Sequence, residues 1–519
     1  MSDAAVLAET TSLCPDCLER VPGRYEVRND QVHLSRDCPD HGVTRRQVWG
    51  SVDHWEWAHE LAGGAAPEPT PDQEFAVDND HACLAVVEVT ESCNLSCSFC
   101  FASSGPSGAH RPTEEVLDLL ETVKRDGEPR PVQFSGGEPT VRDDLPDLIE
   151  RAREMDFSHI EVNTNGIRLG TEDGYARRLA DAGVTAVYLQ FDGLSAEANR
   201  DLREVDLVAE KRAAVEACRE AGLSVVLVPT VVPDVNDDEM ADVVRFAMDN
   251  LDVVESINFQ PVAQFGRYEE HGGRFSLDQA AAALADQLDA LGQRDFLPIP
   301  CCSATCQMAS VLVEDDGEIR SLAEYVSPEL YQGLSSMIDE RDWLELMAQT
   351  ELGSETVRSA AGCCGDTGCC GDGATGLSGL PDQVTDAFGD ALPVSFTGFM
   401  DAAAADAGKL SNCCVSVPTG SGELVPFCAY NMTTDDGEYA IRNRNDWGGR
   451  DSVGAPSSFA DRAADATAAD LPDPDADANA DATAADLPDA DADAESDSTP
   501  ASAADASDVT HYATNAEDD

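Results

Sequence analysis

The sequence has few basic residues for its length of 519, and lysine is almost absent. Thirty-three lysines and arginines stand against 100 aspartates and glutamates, the formal net charge is −67, and the lysines are Lys124, Lys211 and Lys409 alone. Cationic side chains are what neutralise phosphates, so we expect no nucleic acid partner. Such acidity is typical of a solvated, halophilic surface, where high salt screens the self-repulsion.

Long apolar runs are also missing. No stretch approaches the roughly 18 apolar residues that a membrane-spanning helix needs, and the opening MSDAAVLAETTSLC lacks the basic and apolar regions of a secretory leader. We therefore expect a cytoplasmic protein without a membrane span. The 18 cysteines fall mostly in tight clusters, which indicates metal sites in a reducing compartment and not a scattered disulfide framework.

Composition and spacing divide the chain into five segments. Residues 1–62 form a small cysteine-containing module, and 63–80 have the composition of a linker. Residues 81–270 carry the periodic pattern of an α/β core, and 271–445 are less regular and hold ten cysteines. Residues 446–519 are rich in Ala and Asp and contain a repeat, DATAADLPD, so we expect a disordered acidic tail.

The core segment alternates short β-rich apolar runs with stretches of helical period. The runs lie at 84–90, 131–134, 159–163, 185–191, 223–230 and 255–261. This alternation predicts a parallel sheet with right-handed crossovers. Six strands are also the count of a partial (β/α)6 barrel of the TIM type, whose active site lies at the carboxyl ends of the strands.

A three-cysteine motif follows the first predicted strand. Cys93, Cys97 and Cys100 have the spacing C-x3-C-x2-C, and three thiolates hold three irons of a [4Fe-4S] cubane and leave the fourth iron open. The alternatives are a zinc site or buried structural thiols. Zinc is disfavoured because no nearby residue supplies a fourth ligand, His110 being ten residues away.

A glycine-containing motif follows the second predicted strand. Gly136, Gly137, Glu138 and Pro139 read GGEP, in which the glycines permit close approach of the backbone to a ligand and Glu138 adds negative charge. Alone, such a segment is more often a turn. Placed after C-x3-C-x2-C in a series of β and α segments, it is similar to the GGEP motif of the radical S-adenosylmethionine (SAM) superfamily.

The superfamily resemblance implies a cofactor and its contacts. The open iron is expected to bind the amine and carboxylate of SAM, and one electron then releases a 5′-deoxyadenosyl radical. The resemblance also implies polar contacts to SAM at later strand ends, which here are Asn165, Gln190 and Asp192. Each of these three is also a plausible cap or turn residue.

Two further metal sites are predicted. Cys14, Cys17, Cys38 and His41 have the two-knuckle layout of a zinc ribbon or rubredoxin-like module, which favours zinc although a single iron fits the same ligands and His41 could be a turn residue. Near the end of the chain, we expect one auxiliary [4Fe-4S] cluster on ligands drawn from the remaining cysteines. The candidates are Cys302, Cys306, Cys414 and Cys428.

The ligand choice near the end of the chain stays open. Cys301 and Cys413 double two of the candidates, and Cys363, Cys364, Cys369 and Cys370 form a further block that is an independent metal site or an insertion. Free cysteines also pack as small hydrophobes, which is the simpler alternative.

A narrower resemblance covers residues 10–435. SLCPDCL and DCPDHG at the front, TESCNLSCSFCF and FSGGEPT in the core, and FTGFMDA with CCVSVPTGSGELVPFCAYN near the end resemble the class D radical SAM methyltransferase branch. That branch includes 7,8-dihydro-6-hydroxymethylpterin methyltransferase-like proteins and the archaeal tetraether lipid synthase. The resemblance implies C-methylation or carbon–carbon bond formation at an unactivated carbon, with a reductant such as ferredoxin.

The substrate stays open at this point. Pterin-type methylation with a folate-like one-carbon donor is favoured, and the alternative joins isoprenoid lipid tails. Another radical SAM modification, such as peptide modification or sulfur insertion with the auxiliary cluster, also fits. A non-enzymatic electron carrier is disfavoured, because a relay cluster needs four thiolates and no open iron.

Overall fold

A computed structural model describes residues 5–62, 83–124, 129–268, 274–289, 291–299, 303–315, 318–321, 323, 391–411, 413–434 and 437–442. Four sequence predictions lie outside these residues: the linker at 63–80, the ligand Cys302 with its neighbour Cys301, the cysteine block at 363–370 and the acidic tail at 446–519. None of the described helices is both long and apolar enough to cross a membrane.

The N-terminal module is a four-stranded antiparallel meander. Its strands are β1 (Val6–Leu13), β2 (Arg20–Arg28), β3 (Gln31–Cys38) and β4 (Gly42–Trp49). Asn29 and Asp30 form the turn between β2 and β3 with φ of 52° and 64°, a conformation that asparagine and aspartate tolerate better than other non-glycine residues. Helix α1 (Val52–Leu61) follows, and Ser51 caps it by accepting a hydrogen bond from the backbone N–H of His54.

The core is the partial (β/α)6 barrel that the sequence predicts. Its parallel strands are joined in chain order, and a short strand, β10, flanks the last of them. The strands are β5 (Leu84–Thr90), β6 (Val132–Gly136), β7 (Ile160–Thr164), β8 (Ala186–Gln190), β9 (Ser224–Val228), β10 (Thr230–Val231) and β11 (Val254–Pro261). Every apolar run identified in the sequence is a strand, so the α/β fold class is confirmed.

Helices cover the outer face of the barrel. They are α2 (Thr113–Val123), α3 (Leu145–Glu154), α4 (Ile167–Thr171), α5 (Tyr175–Ala182), α6 (Ala196–Arg203), α7 (Val208–Ala221), α8 (Met240–Met248) and α9 (Leu277–Gln287). Helix α2 buries the apolar stripe Val116, Leu119, Leu120 and Val123, whose spacing of three and four residues places it on one face. Helix α7 ends at Gly222, which has a φ of 72°.

Along each strand, the side chains point alternately into the hydrophobic core under the helices and into the interior of the barrel. The residues that point into the interior form the site. On β11, Ile257 and Phe259 belong to the main hydrophobic core under the helices, whereas Asn258 and Gln260 line a cavity on the inner face. Successive side chains of a strand point to opposite faces, so one residue in two along β6, β7, β8 and β11 is available to the barrel interior.

The C-terminal region extends the same sheet at both edges. Its strands are β12 (Leu297–Pro298), β13 (Gln307–Asp315), β14 (Glu318–Ser321), β15 (Ala391–Thr397), β16 (Val415–Pro418) and β17 (Leu424–Pro426), with helices α10 (Ala407–Ser411) and α11 (Phe427–Asn431). Strand β15 pairs parallel to β11 at one edge, and β16 pairs parallel to β5 at the other. The segment predicted as an auxiliary domain therefore shares its sheet with the core.

The N-terminal module packs against the C-terminal region. Arg36, which is fully buried, donates to the carbonyls of Ala402 at 2.8 Å and Ala403 at 2.9 Å. The Ser12 hydroxyl donates to the carbonyl of Ala405 at 2.6 Å. Leu13 and Leu18, which flank the turn that carries Cys14 and Cys17, therefore belong to the same hydrophobic cluster as Cys428.

Candidate functional site

A cavity of about 290 Å³ lies at the carboxyl ends of the barrel strands. Its lining combines the predicted cluster loop, the GGEP turn, polar residues of the inner barrel face and cysteines of the C-terminal region. Parallel strands present their carboxyl ends at one edge, and this is where a barrel enzyme carries its site.

The three cysteines of the cluster motif all line this cavity. Cys93, Cys97 and Cys100 lie on the loop that follows β5. Burial, together with a smaller effect of the nearby Glu138 charge, raises the pKa of the Cys93 thiol to about 12. A metal that binds as a cation favours the thiolate form, so three thiols facing one space fit the protein ligands of a site-differentiated cubane.

An arginine from the other end of the barrel holds the cluster loop. Arg267, just after β11, donates from Nε to the carbonyl of Cys97 at 2.7 Å and from Nη2 to the carbonyl of Ser104 at 3.0 Å. Its backbone also exchanges hydrogen bonds with Cys100, at 2.8 and 3.0 Å. Sequence reasoning missed Arg267, because nothing in its neighbourhood marks it as a partner of a loop 160 or more residues earlier.

The two glycines of GGEP are required by backbone packing. A Cβ on Gly136, which has a φ of +124°, would lie 2.2 Å from the carbonyl oxygen of Thr90, and a Cβ on Gly137 would lie 2.3 Å from that of Ser92. The backbone of the GGEP turn therefore packs directly against the start of the cluster loop, and the absence of side chains also exposes this backbone to the cavity. Gly137 N–H donates to Thr90 at 2.6 Å.

Glu138 ties the second strand end to the third. Its carboxylate accepts from the backbone N–H and the hydroxyl of Thr140, from the hydroxyl of Thr164 at 2.7 Å and from the backbone N–H of Asn165 at 2.6 Å. Glu138 lines the cavity, whereas Pro139 starts a short 3-10 turn (Pro139–Val141) outside the lining. Glu138 is thus placed to orient the strand ends as well as to add charge.

The predicted SAM contacts differ in position. Asn165 and Gln190 line the cavity. The Asn165 amide donates to the side chain of Asn94 on the cluster loop at 2.7 Å, and the Gln190 amide oxygen accepts from Lys211 at 2.7 Å. Both side chains therefore also hold neighbouring residues of the site in position.

Asp192, the third predicted SAM contact, is not among the residues that line the cavity. Its buried carboxylate accepts two hydrogen bonds from Arg203, at 2.7 and 2.8 Å, and one from the backbone N–H of Thr230 at 3.1 Å. Arg203 itself lines the cavity. Burial lowers the pKa of Lys211, beside this pair, to about 7. In the sequence, the only feature that marks Lys211 is the scarcity of lysine, because Lys211 is one of three lysines in the chain.

Cysteines of the C-terminal region line the same cavity. They are Cys306, Cys414 and Cys428, which are candidates for the auxiliary cluster, and Cys413. Burial, together with smaller effects of the charges of Cys306 and Cys414, raises the pKa of the Cys428 thiol to about 12. The backbone N–H of Met400 donates to the Cys428 sulfur at 3.4 Å. Four thiols meet the requirement of a cubane with four protein ligands.

The N-terminal ligands converge on a second, separate point. The ligand atoms of Cys14, Cys17, Cys38 and His41 all lie within 4.8 Å of one another. His41 Nδ1 lies 3.6 Å from the sulfur of Cys14 and 3.5 Å from that of Cys38. Zinc–sulfur bonds of about 2.3 Å and zinc–nitrogen bonds of about 2.0 Å fit such a tetrahedral set.

Aromatic rings bridge the two cysteine groups, a feature that the sequence did not predict. Phe101 follows Cys100 and lies 5.4 Å from Phe427, which precedes Cys428. Phe399 lies 5.2 Å from Phe427 in turn, as measured between ring centroids. All three rings line the cavity. The rings are tilted to one another, by 60° and 43°, and each offers an aromatic face on which a planar ligand could stack.

Comparison with known protein families assigns two regions. Residues 87–247 match the Radical SAM superfamily, and residues 6–50 match the HMPTM N-terminal zinc ribbon domain. The second match identifies the N-terminal module as a zinc ribbon, in agreement with its ligand geometry.

Relatives extend the comparison beyond single domains. The chain is 30% identical over 472 residues to 7,8-dihydro-6-hydroxymethylpterin dimethyltransferase of Methanocaldococcus jannaschii, covering 82% of this chain and 93% of the relative. It is 26% identical over 214 residues to a probable GTP 3',8-cyclase of Methanothermobacter thermautotrophicus, covering 41% and 68%. Among solved structures, Streptococcus suis SuiB bound to S-adenosylmethionine matches at 18% identity and a TM-score of 0.34, over 39% of this chain and 46% of that one.

Proposed function

The chain belongs to the radical SAM superfamily, in the same family as 7,8-dihydro-6-hydroxymethylpterin dimethyltransferase, and from that premise we propose that it methylates a carbon of a pterin-type substrate. Radical SAM enzymes need a substrate and a reductant. We propose that the substrate is a small molecule and that the reductant is a ferredoxin-type protein. The donor proposed is a folate-like one-carbon carrier.

One observation carries the proposal: two groups of cysteines, far apart in the sequence, line the same cavity at the strand carboxyl ends. We assign Cys93, Cys97 and Cys100 to the SAM-binding [4Fe-4S] cluster, and Cys306, Cys413, Cys414 and Cys428 to the auxiliary cluster. When bound, the first cluster would supply the electron for reductive cleavage of SAM, which gives the hydrogen-abstracting species of this superfamily. A substrate in this cavity would lie beside both groups of cysteines.

The chain's own residues hold and orient the reactants in this proposal. Gly136, Gly137 and the side chains of Asn165 and Gln190 form the SAM-facing surface, and Glu138 with Arg267 fixes the loops that carry it. Asp192 acts one layer behind, by holding Arg203 in place. Positioning of this kind lowers the barrier, because reacting atoms are brought together before the chemistry starts.

The lining of the cavity favours a small ring over lipid chains. It combines five phenylalanine rings with asparagine and glutamine side-chain amides, which suit a ring with polar edges. Two isoprenoid tails would need a long apolar channel instead. The tetraether-type coupling reaction is therefore the less supported alternative.

The test is a product analysis on anaerobically reconstituted protein. With dithionite, SAM and 7,8-dihydro-6-hydroxymethylpterin, we expect 5′-deoxyadenosine and a pterin that carries one or two added methyl groups, measured by mass spectrometry with and without a folate-type donor. Cys97→Ala is expected to abolish both products. The matched control is Cys218→Ala, which removes a buried cysteine on α7 that does not line the cavity. Cluster-loaded protein that releases no 5′-deoxyadenosine would contradict the proposal.

A further inference from the structure

The inner barrel face carries a pair of amides fixed by one hydroxyl. Asn258 and Gln260 on β11 each donate from the side-chain nitrogen to the hydroxyl oxygen of Tyr188 on β8, both at 2.9 Å. All three side chains line the cavity. Because the amide nitrogens are directed at Tyr188, the orientation of each amide is set, and the position of its carbonyl oxygen follows.

The carbonyl oxygen of Asn258 has no hydrogen-bond partner within the described parts of the chain. The side chain belongs to a residue that is only 8% exposed, so water outside the protein cannot readily serve it. Buried acceptors in native proteins are nearly always paired, and an exception at a cavity wall calls for a partner that occupies the cavity. The partner needed is an N–H or O–H donor.

A second buried oxygen without a described partner lies on the neighbouring strand. The hydroxyl of Thr397 on β15 lines the same cavity and makes no hydrogen bond to the described residues. Strand β15 pairs with β11, with Asn258 opposite Ser395, so Thr397 lies two residues further towards the strand carboxyl end. One acceptor and one hydroxyl, able to donate, therefore stand on adjacent strands.

The wall formed by Phe101, Phe399 and Phe427 completes the site. Its rings have the flat apolar faces that stack on a planar heterocycle, whereas Asn258 and Thr397 have the polarity to pair with the edge of one. A ring recognised in this way presents a donor and a neighbouring carbonyl on the same edge. The 2-amino-4-oxopyrimidine ring has this arrangement, with N–H donors beside a carbonyl oxygen.

We propose that Asn258, oriented by Tyr188, reads the N–H edge of a 2-amino-4-oxopyrimidine ring, and that Thr397 pairs with the carbonyl of that ring. The inference rests on the proposed function and deepens it by naming the specificity-determining residues. Pterins and guanine nucleotides share this ring, so the experiment includes both. We expect the ring that binds here to be that of a pterin.

The experiment measures equilibrium binding to the reconstituted holoenzyme under anaerobic conditions, with 7,8-dihydro-6-hydroxymethylpterin and GTP as separate probes. Asn258→Leu keeps the volume and removes the acceptor, and we expect pterin affinity to fall by about tenfold or more, since a site built to hydrogen-bond a ligand loses most when that bond is removed. Asn258→Asp keeps an acceptor oxygen and should bind better than Asn258→Leu. Tyr188→Phe frees the amide and should weaken binding several-fold.

Asn250→Leu serves as the matched control, because Asn250 bonds Phe246 and Arg219 outside the cavity. It should bind the pterin as the unaltered protein does. Iron content and melting temperature are measured for every variant, and Tyr188→Phe with Asn258→Asp carry the test if Asn258→Leu fails to fold.

The outcomes separate the two proposals. Equal pterin affinity in the unaltered protein and in folded Asn258→Leu or Tyr188→Phe would overturn the assignment of Asn258 while the proposed function stands. GTP binding that is tighter than pterin binding and lost in the Asn258 variants would support the ring-edge assignment and overturn the pterin substrate. An unaltered holoenzyme that binds neither probe would overturn both.

Discussion

His54 is a neutral histidine buried between the N-terminal sheet and its helix. The indole N–H of Trp49 donates to His54 Nδ1 at 3.2 Å, which requires that nitrogen to be unprotonated. Burial, together with a smaller effect of the Arg294 charge, lowers the pKa of His54 to about 4. An unfolded histidine has a pKa of about 6.5, so the folded state binds the proton less tightly.

The resulting pH dependence has a defined direction. The stabilisation by neutral His54 is fully present above about pH 6.5 and is lost as the pH falls towards 4, so the free energy of unfolding should drop by about 1–2 kcal/mol between pH 7 and 5 on account of this residue. Denaturant unfolding at constant high salt measures it. His54→Phe keeps a buried ring that does not titrate. Between pH 7 and 5, the free energy of unfolding of this variant should fall by about 1–2 kcal/mol less than that of the unaltered protein. Parallel curves for the two proteins would refute this role.

The cluster loop is an element whose position depends on a distant side chain. Arg267→Met removes the side-chain hydrogen bonds to Cys97 and Ser104 and leaves the backbone pairing with Cys100. Residues that orient metal ligands typically contribute about 10–100-fold to metal affinity, so we expect the reconstituted protein to lose iron to a chelator about tenfold faster. Arg219→Met, which alters a surface arginine paired with Asp252, is the control. Iron retention equal in both variants would contradict the bracing role.

The zinc ribbon is an element that depends on its metal. Burial raises the pKa of the Cys17 thiol to about 12, so a metal that binds this sulfur as a thiolate must displace a tightly held proton, and metal binding is coupled to folding. Cys17→Ser should remove one zinc per chain, measured by elemental analysis, and should expose Trp49 and Trp55 of the module, measured by fluorescence. Cys218→Ala should retain the zinc. A Cys17→Ser protein with full zinc content would argue against Cys17 as a ligand.

At the scale of the whole molecule, a buried ion pair joins the end of the described chain to the first barrel strand. Arg442 donates to the carboxylate of Glu88 and, at 2.8 Å, to the side-chain oxygen of Asn431. The hydroxyl of Tyr430 donates to the same carboxylate at 3.2 Å. Both charges are almost fully buried. The pair thus fastens the segment that carries Cys428 onto the core.

Breaking this pair from one side should cost more than replacing both partners. Arg442→Met leaves Glu88 buried without its counter-charge and is expected to lower the free energy of unfolding by about 3–5 kcal/mol. The double variant Glu88→Gln with Arg442→Met removes both charges and should lose less than the single variant. Denaturant unfolding at fixed salt gives the comparison. If the losses measured for Arg442→Met and for Glu88→Gln alone add up to the loss of the double variant, the pair is not coupled.

Local patterns were enough to predict most of the fold. Each barrel strand is a contiguous apolar run, and each metal motif at 14–17, 38–41 and 93–100 is contiguous or nearly so, so its ligands are close in space because they are close in the chain. Gly136 and Gly137 could be identified for the same reason. The six strands and the zinc ribbon are confirmed, whereas the domain borders and the individual ligands stay predictions.

Only the tertiary structure decided which distant residues meet. Cys306 precedes a strand at one edge of the sheet and Cys414 precedes a strand at the other, and they share a cavity because the parallel strands curve into a partial barrel. The same closure brings Arg267 to the cluster loop and Asn258 to Tyr188. No periodicity or spacing encodes these pairings, since each joins residues 70 or more positions apart whose partners are set by strand order and curvature.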